Sequence, residues 1–445
     1  MILSWKETRS RVVAPDERLP WGQTLAMGFQ HVLAMFGATV VAPILMGFDP
    51  NLAILFSGIG TLIFFAFVGG AVPSYLGSSF AFIGPVAAVT GAAAAAGAVN
   101  GIPQALGGIV AAGVIYALIG IIVQLTGSGW IDRLMPPLVT GAVVAIIGLN
   151  LAPAARNLAA ADPIIAAITV LAIFIVGLLT TGIFSRLPIL IGTVIGYLAA
   201  LLLGGASPEG RAFLGTTIHG VDLSSIANAG WFGIPAFVTP EFNATAIGLI
   251  APVAIVLVAE NTGHVKAVNA LTGRNLMPYL GRAFIGDGVA TIVAGLRGGT
   301  GVTTYAENIG VMAVTRVYST AVFVVAAIVA IIFGLSPKFG AIIGSIPLGV
   351  LGGVSTVLFG LIAITGARIW VDNRVDFTKT ANLFVAAVVL IIGAADYTVT
   401  IGGFAMNGIT LGTFSAIVLY QIFKGAPEQE DFAIIGDDAE ARATE

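Results

Sequence analysis

Two glutamates stand where the chain has little else that ionises. Glu307 lies in Gly301-Val-Thr-Thr-Tyr-Ala-Glu-Asn-Ile-Gly310, and Glu260 lies in Ile255-Val-Leu-Val-Ala-Glu-Asn-Thr-Gly-His264. Both stretches are set among long apolar runs, where an ionisable group is expensive and marks a binding or conduction site. Glu260 and His264 are four residues apart and share one helical face. A carboxylate and an imidazole so placed can share a proton that moves with the state of the protein. The plain alternative is a structural ion pair at a helix end. Glu307 follows the polar Thr303-Thr304 pair and opens a helix, where N–H groups lack partners. Its plain alternative is a capping carboxylate.

A second stretch, Gly77-Ser-Ser-Phe-Ala-Phe-Ile-Gly-Pro85, repeats the pattern, with Ser78-Ser79-Phe80-Ala81 answering Thr303-Thr304-Tyr305-Ala306. Two such glycine-punctuated interruptions, one in each half, point to the binding site of a transporter. Two carboxylate acceptors joined by backbone N–H donors near Phe80 and Ala306 complement a flat, neutral ligand. It would carry N–H and C=O groups on one edge, as a pyrimidine-dione does, with Phe80 and Tyr305 along its ring. His31 lies mid-span and either supports the Glu260 region or is a satisfied buried histidine. Asp287, between Gly286 and Gly288, reads first as a packing or hydrogen-bonding residue and second as part of a proton path. His219 lies in a loop and is incidental. The ligands for a metal are too few.

The elements that hold these residues are membrane segments. The chain has 445 residues, 58% hydrophobic and 9% charged, whereas a soluble domain carries roughly a quarter charged residues. Apolar runs near the length that crosses a bilayer recur throughout. Fourteen segments are expected, near 23–47, 51–70, 74–98, 103–126, 136–154, 163–182, 187–205, 244–264, 281–297, 301–313, 317–335, 346–366, 380–396 and 402–423. The third and tenth each begin as a short extended strand and continue as a half-length helix, an all-α polytopic plan interrupted at two places. Such backbone must face protein, ligand or water rather than lipid. Cysteine is absent, so disulfides and thiolate metal sites are excluded. No basic patch suits nucleic acid, and no nucleophile–base pair or metal cluster suggests an enzyme.

With both termini on the cytoplasmic side, fifteen of the 19 Lys and Arg residues fall inside, as the positive-inside rule requires. The halves also match in order. Gly58-Ile-Gly60 answers Gly286-Asp-Gly288, and Met135-Pro-Pro-Leu-Val-Thr-Gly141 answers Ile346-Pro-Leu-Gly-Val-Leu-Gly352. Partners lie seven segments apart, an odd number, so the second copy runs upside-down. This is a 7+7 inverted repeat.

Glu307-Asn-Ile-Gly-Val-Met-Ala-Val-Thr-Arg316 resembles the signature of the nucleobase–cation symporter-2 (nucleobase–ascorbate transporter) family, Gln/Glu/Pro-Asn-x-Gly-x4-Thr-Arg/Lys/Gly. Gln30-His-Val-Leu-Ala-Met-Phe-Gly-Ala-Thr39, Tyr75-Leu-Gly-Ser-Ser-Phe-Ala-Phe82 and Ala259-Glu-Asn-Thr-Gly-His264 extend the likeness over nearly the whole chain. Glu at the first signature position is like that of uracil carriers, where purine and xanthine members have Gln. Val12–Pro20, Thr272–Asn275 and Ala367–Val371 look most like the pyrimidine permeases of bacterial uracil-degradation operons.

The resemblance implies a proton-coupled symporter of the bacterial inner membrane that imports uracil and related bases. It implies no cofactor, the proton gradient being the energy source. The core domain would comprise residues 23–126 and 244–335, and the gate domain residues 127–205 and 336–424. A cytoplasmic segment (1–22), an outer loop (206–243) and an acidic disordered tail (425–445) complete the chain. The core would move like an elevator within a homodimer joined through its gates. Carried over residue by residue, Glu260 and Glu307 bind the base and Phe80 and Ala306 supply N–H groups. Tyr305 and Ser79 line the site, and His264 and His31 support Glu260 in proton coupling. Two positions depart from the uracil pattern: Ala306 replaces a glycine and Phe359 a tyrosine. Thymine or xanthine are therefore alternative substrates. An anion exchanger or channel on the same fold is the remaining alternative.

Overall fold

A computed structural model describes residues 4–95, 100–182, 184–207, 209–401 and 404–425. The acidic tail expected after 425 lies outside the described residues. Two short strands, β1 (Lys6–Glu7) and β2 (Glu17–Arg18), precede helices α1 (Trp21–Met46) and α2 (Pro50–Phe67). Next come β3 (Leu76–Ser78), a 3-10 turn (Phe80–Phe82), α3 (Ile83–Ala95) and α4 (Ile102–Thr126). The short α5 (Gly129–Leu134) leads to α6 (Pro137–Asn150), α7 (Ala152–Ala161), α8 (Pro163–Leu179) and α9 (Pro188–Gly204). The long loop holds β4 (Arg211–Phe213), β5 (Thr216–Ile218) and α10 (Leu223–Asn228). The second half has α11 (Ala244–Ile250), α12 (Val253–Thr272), α13 (Leu280–Gly295), β6 (Val302–Thr304), α14 (Ala306–Thr315) and α15 (Thr320–Gly334). It ends with α16 (Pro337–Gly344), α17 (Leu348–Asp372), α18 (Thr380–Ala394), β7 (Val399–Ile401), β8 (Phe404–Met406) and α19 (Gly408–Phe423).

A helix lies within each of the fourteen expected segments, but their lengths differ. Among the described residues, six helical runs are long and apolar enough to cross a bilayer, or seven if α15 and α16, bent by 82° at their junction, are counted as one span. Others, such as α8 and α9 at 17 residues, span only about 25 Å against a hydrocarbon core of about 30 Å. Two boundaries shift. The helix carrying Glu260 runs on to Thr272, stopped by Gly273 in the left-handed conformation (φ 64°), so Glu260 is mid-helix rather than at the end. The last helix starts at Gly408 rather than near 402, because the Asn407 side chain caps it by accepting from the Thr410 N–H at 3.2 Å.

The two polar interruptions fold as expected, into strand plus half-helix, and they meet. β3 and β6 pair antiparallel, with Leu76 opposite Thr304, Gly77 opposite Thr303 and Ser78 opposite Val302. A two-stranded sheet has two open edges, which apolar surroundings do not tolerate. Each half closes its own. The Thr61 hydroxyl of α2 accepts from Leu76 N–H at 2.9 Å, and the Thr291 hydroxyl of α13 accepts from Val302 N–H at 3.2 Å.

Glycine sets the tightest helix contacts. A Cβ at Gly288 of α13 would stand 2.6 Å from Ala117 N and 2.8 Å from Gly113 O of α4. Both are backbone atoms that cannot yield. Outward, α8 presents Leu171, Phe174, Ile175, Leu178 and Leu179, all exposed, and α18 presents Leu383, Phe384, Val388 and Ile391. Apolar faces on this scale suit lipid, not water. The protein is an integral membrane protein.

Candidate functional site

The strand pair delivers two helix openings to one place. Ser79 caps the 3-10 turn, its hydroxyl accepting from Ala81 N–H at 3.3 Å, and Phe80 is the first residue of that turn. On the other side Tyr305 precedes α14, whose first residues are Ala306 and Glu307. N–H groups at such positions have no partner within their own helix. A cavity between them is lined by Phe80, Glu260, His264, Thr303, Thr304, Tyr305, Ala306 and Glu307. Glu260, His264, Ala306 and Glu307 are half-buried, whereas Phe80 and Tyr305 are buried.

Glu260 reaches the cavity from the middle of α12. The Ser79 and Thr303 hydroxyls stand beside its carboxylate. Even so, Glu260 Oε2 and Thr303 Oγ1 are buried without a hydrogen-bond partner among the described residues. Buried carboxylate oxygens are normally hydrogen-bonded, so this position suits a donor from a ligand or water. The cavity wall therefore offers acceptors at Glu260 and Glu307 and donors at the two helix openings.

His264 does share the Glu260 face, but its bond goes elsewhere. His264 Nδ1 lies 2.8 Å from Thr304 Oγ1. The Thr304 hydroxyl donates to Asn261 Oδ1 at 3.4 Å. Asn261 Nδ2 in turn donates to the Tyr116 hydroxyl at 2.9 Å and to Asp287 Oδ2. Asp287 is thus a buried hydrogen-bonding residue, the first of its two expected roles. The partners found for His31 are Asn308 and Phe323. His31 Nδ1 lies 3.0 Å from Asn308 Nδ2, which also donates to the His31 carbonyl at 3.1 Å. Its ring packs on Phe323 at 4.6 Å. Ser79 and His31 stand behind the cavity wall rather than on it.

The far wall was not legible in the sequence. Val144 and Ile147 of α6 and Ile362 and Thr365 of α17 close the cavity. Phe359 of α17 meets Phe80 edge-on at 5.6 Å between ring centroids. Apart from Phe359, already singled out by the resemblance, these are ordinary helix residues, mostly apolar, and only the docking of α6 and α17 gives them a role. Glu307 also borders a second, larger cleft of about 280 Å³. That cleft is lined by Leu33, Ala34, Arg186, Pro188 and Val314, among others.

Residues 22–402 match the family described as "Permease family". The chain is 56% identical over 415 residues to a protein named as the pyrimidine permease RutG of Escherichia coli (strain K12), covering 93% of this chain and 92% of that one. It is 40% identical over 445 residues to the uracil permease of the same organism, covering 97% and 98%. Among solved structures, the transmembrane domain of the cyanobacterial bicarbonate transporter BicA has a TM-score of 0.60 at 15% identity, covering 90% of this chain and 97% of that one. At that identity the likeness is of fold alone. The relatives are permeases, not enzymes, and the chain belongs to the nucleobase–cation symporter-2 permease family.

Proposed function

We propose that this permease imports uracil and related pyrimidine bases across the cytoplasmic membrane, driven by the proton gradient. The observation that carries the proposal is the convergence of Glu260, Glu307 and the openings of the 3-10 turn and α14 on one cavity beside Phe80. Two acceptors and two donors around an aromatic edge match a flat base with alternating N–H and C=O groups. They do not match an anion. Among the described residues the cavity is lined by two carboxylates and by no Lys or Arg, which weighs against bicarbonate or chloride despite the shared fold.

Glu260 is the proton-exchanging group in this reading, since its carboxylate lines the cavity where the base would bind. The His264–Thr304–Asn261 chain fixes the face on which it sits. His31 braces Asn308 of the signature and acts on coupling only through that residue.

The packing pattern supports a fourteen-span, 7+7 inverted repeat. α2 packs on α15 as α13 packs on α4, and α8 on α9 as α18 on α19. Likewise α17 packs on α8 as α6 packs on α18, while α6 and α17 pack on each other. These pairs exchange when the halves are exchanged. Two helix groups follow: a core of α1–α4 and α11–α15, and a gate of α6–α9 and α17–α19. An elevator-like movement of the core against the gate, within a gate-joined homodimer having both termini cytoplasmic, completes the proposal.

The test is uptake of labelled uracil into proteoliposomes with and without an inward proton gradient. Gradient-dependent uptake blocked by uracil and thymine but not by hypoxanthine is the expected result. Uptake indifferent to the gradient would remove the proton role. Absence of uracil uptake, or equal competition by xanthine, would overturn the substrate.

A further inference from the structure

The N-terminal segment, polar and without apolar periodicity, folds into a strap across the end of the site helices. β1 and β2 pair in parallel, with Lys6 opposite Glu17 and Glu7 opposite Arg18, and Arg18 forms an ion pair with Glu7 at 2.7 Å. Between them the chain reaches inward. Val13 is fully buried and pairs in parallel with Val317. Its N–H donates to the Arg316 carbonyl at 3.0 Å, and its carbonyl accepts from Tyr318 N–H at 2.8 Å. The Thr320 N–H and hydroxyl both donate to the Pro15 carbonyl, at 3.1 and 2.9 Å. Trp5 Nε1 donates to Thr320 Oγ1 at 2.9 Å, and the Trp5 ring lies 6.1 Å from that of Phe65. Asp16 pairs with Arg274 at 2.5 Å.

The anchors outside the segment itself lie at the end of α2, the turn after α12, and the junction of α14 with α15, and of these elements α12 and α14 line the cavity. The junction matters most. α14 has ten residues, too few to be stable alone, and carries Glu307 in its first turn. Its N-terminal end is held by the β3–β6 pair. Its C-terminal end closes at Arg316, a non-glycine residue at φ 57°. That conformation is costly, and the carbonyl leaving it is the one that Val13 N–H meets.

We propose that residues 5–19 are a positioning strap that holds the C-terminal end of α14 and thereby fixes Glu307, and that the strap travels with the site helices. The inference rests on the reading of Glu307 as a substrate ligand, but its first test does not. The 445 residues include no cysteine, so single cysteines report cleanly. Val13→Pro, which removes the N–H that meets Arg316, is combined with Met312→Cys in α14 or Val354→Cys in α17, both positions buried. Val13→Pro should speed maleimide labelling at position 312 by at least about fivefold, the factor one lost hydrogen bond supplies, and leave position 354 unchanged. An unchanged rate at 312, or an equal rise at both positions, overturns the strap.

In the cysteine-free protein, Val13→Pro should weaken uracil binding by about fivefold and keep the maximal uptake rate within about twofold, a split that general destabilisation would not give. Unchanged binding would overturn the link to Glu307. Faster labelling at 312 in a protein that never binds uracil would keep the strap and overturn the substrate. Finally, Val13→Cys with Val317→Cys brings two thiols within disulfide reach, since bridged Cα atoms lie about 5 Å apart. Full uptake after oxidation is expected. Loss of uptake reversed by reductant would mean the segment opens as a lid, contrary to the proposal.

Discussion

The Tyr305 hydroxyl donates to the Ser78 carbonyl at 2.9 Å, so the aromatic ring of one polar interruption is pinned across the strand of the other. Thr39 adds a second bond to the same hydroxyl at 3.3 Å. The ring covers Gly77, where a Cβ would stand 2.7 Å from the Tyr305 hydroxyl oxygen. Gly77→Ala should therefore weaken uracil binding more than tenfold, because a pinned ring cannot withdraw. Tyr305→Phe removes one buried bond and should cost only about 1 kcal/mol, near fivefold. Adding Tyr305→Ala to Gly77→Ala should recover part of the loss. Calorimetric titration of the purified variants with uracil measures all three.

The two glutamates should fail differently. Glu307→Gln keeps the shape of the side chain but replaces one acceptor by a donor, so uracil binding should fall by about thirtyfold to a hundred-and-sixtyfold, the 2–3 kcal/mol range of a charge-assisted bond lost in a buried site. Glu260→Gln should retain measurable binding while abolishing the response of uptake to the proton gradient. Wild-type behaviour of both variants in binding and uptake would remove these residues from the site.

Phe359 backs Phe80, a residue of the cavity wall, edge-on at 5.6 Å. Phe359→Ala removes the ring behind that wall, and hypoxanthine, which should not compete in the wild type, should then inhibit uracil uptake. Competition assays on the variant decide whether this wall sets the size limit.

Asp287, Asn261 and Tyr116 form a buried polar cluster behind the site. Asp287→Leu leaves one buried N–H of Asn261 without its acceptor and should lower stability by about 1–3 kcal/mol, seen as a fall in melting temperature in detergent. Asp287→Asn should stay within about 1 kcal/mol of wild type and keep gradient-driven uptake. Loss of coupling in a folded Asp287→Asn protein would put Asp287 on the proton path instead.

Arg316 ends α14 in the left-handed region. Arg316→Gly should be neutral or stabilising by up to about 1 kcal/mol, while Arg316→Val should be destabilising, since a β-branched residue resists positive φ. Thermal melts distinguish them. The physical requirement also explains why Gly is one of the residues allowed at the last position of the family signature.

The parts of the site that were legible in the sequence are those whose residue types conflict with their surroundings. Glu260, Glu307 and the two Ser/Thr/Gly stretches stand out because apolar neighbours make each of them costly, and the matched order of the two stretches pointed to their meeting. The partners of His264 and His31 were not legible. Spacing put His264 on the face of Glu260, but Thr304, brought in by a strand from far along the chain, offered the nearer hydroxyl. The walls from α6 and α17 carry no mark either, because Val144, Ile147 and Ile362 look like any lipid-facing or core residue until two helix groups dock. The N-terminal strap was unreadable for another reason: its register comes from backbone bonds to Arg316 and Tyr318, which leave no periodic trace in side chains.

The pairing of β3 with β6 also sets a schedule for synthesis. Gly77 and Thr303 face each other, yet half the chain is made between them, and at about 5–20 residues per second the first strand waits on the order of ten to fifty seconds for its partner. During that wait its open edge cannot be left to lipid. The Thr61 hydroxyl, already in place from α2, meets the Leu76 N–H and shelters one side, but the side that will receive β6 stays unfilled. A ribosome stalled inside the 206–243 loop would thus leave in the bilayer a half-protein with an exposed pairing edge, matched by the complementary half and by any similar strand nearby.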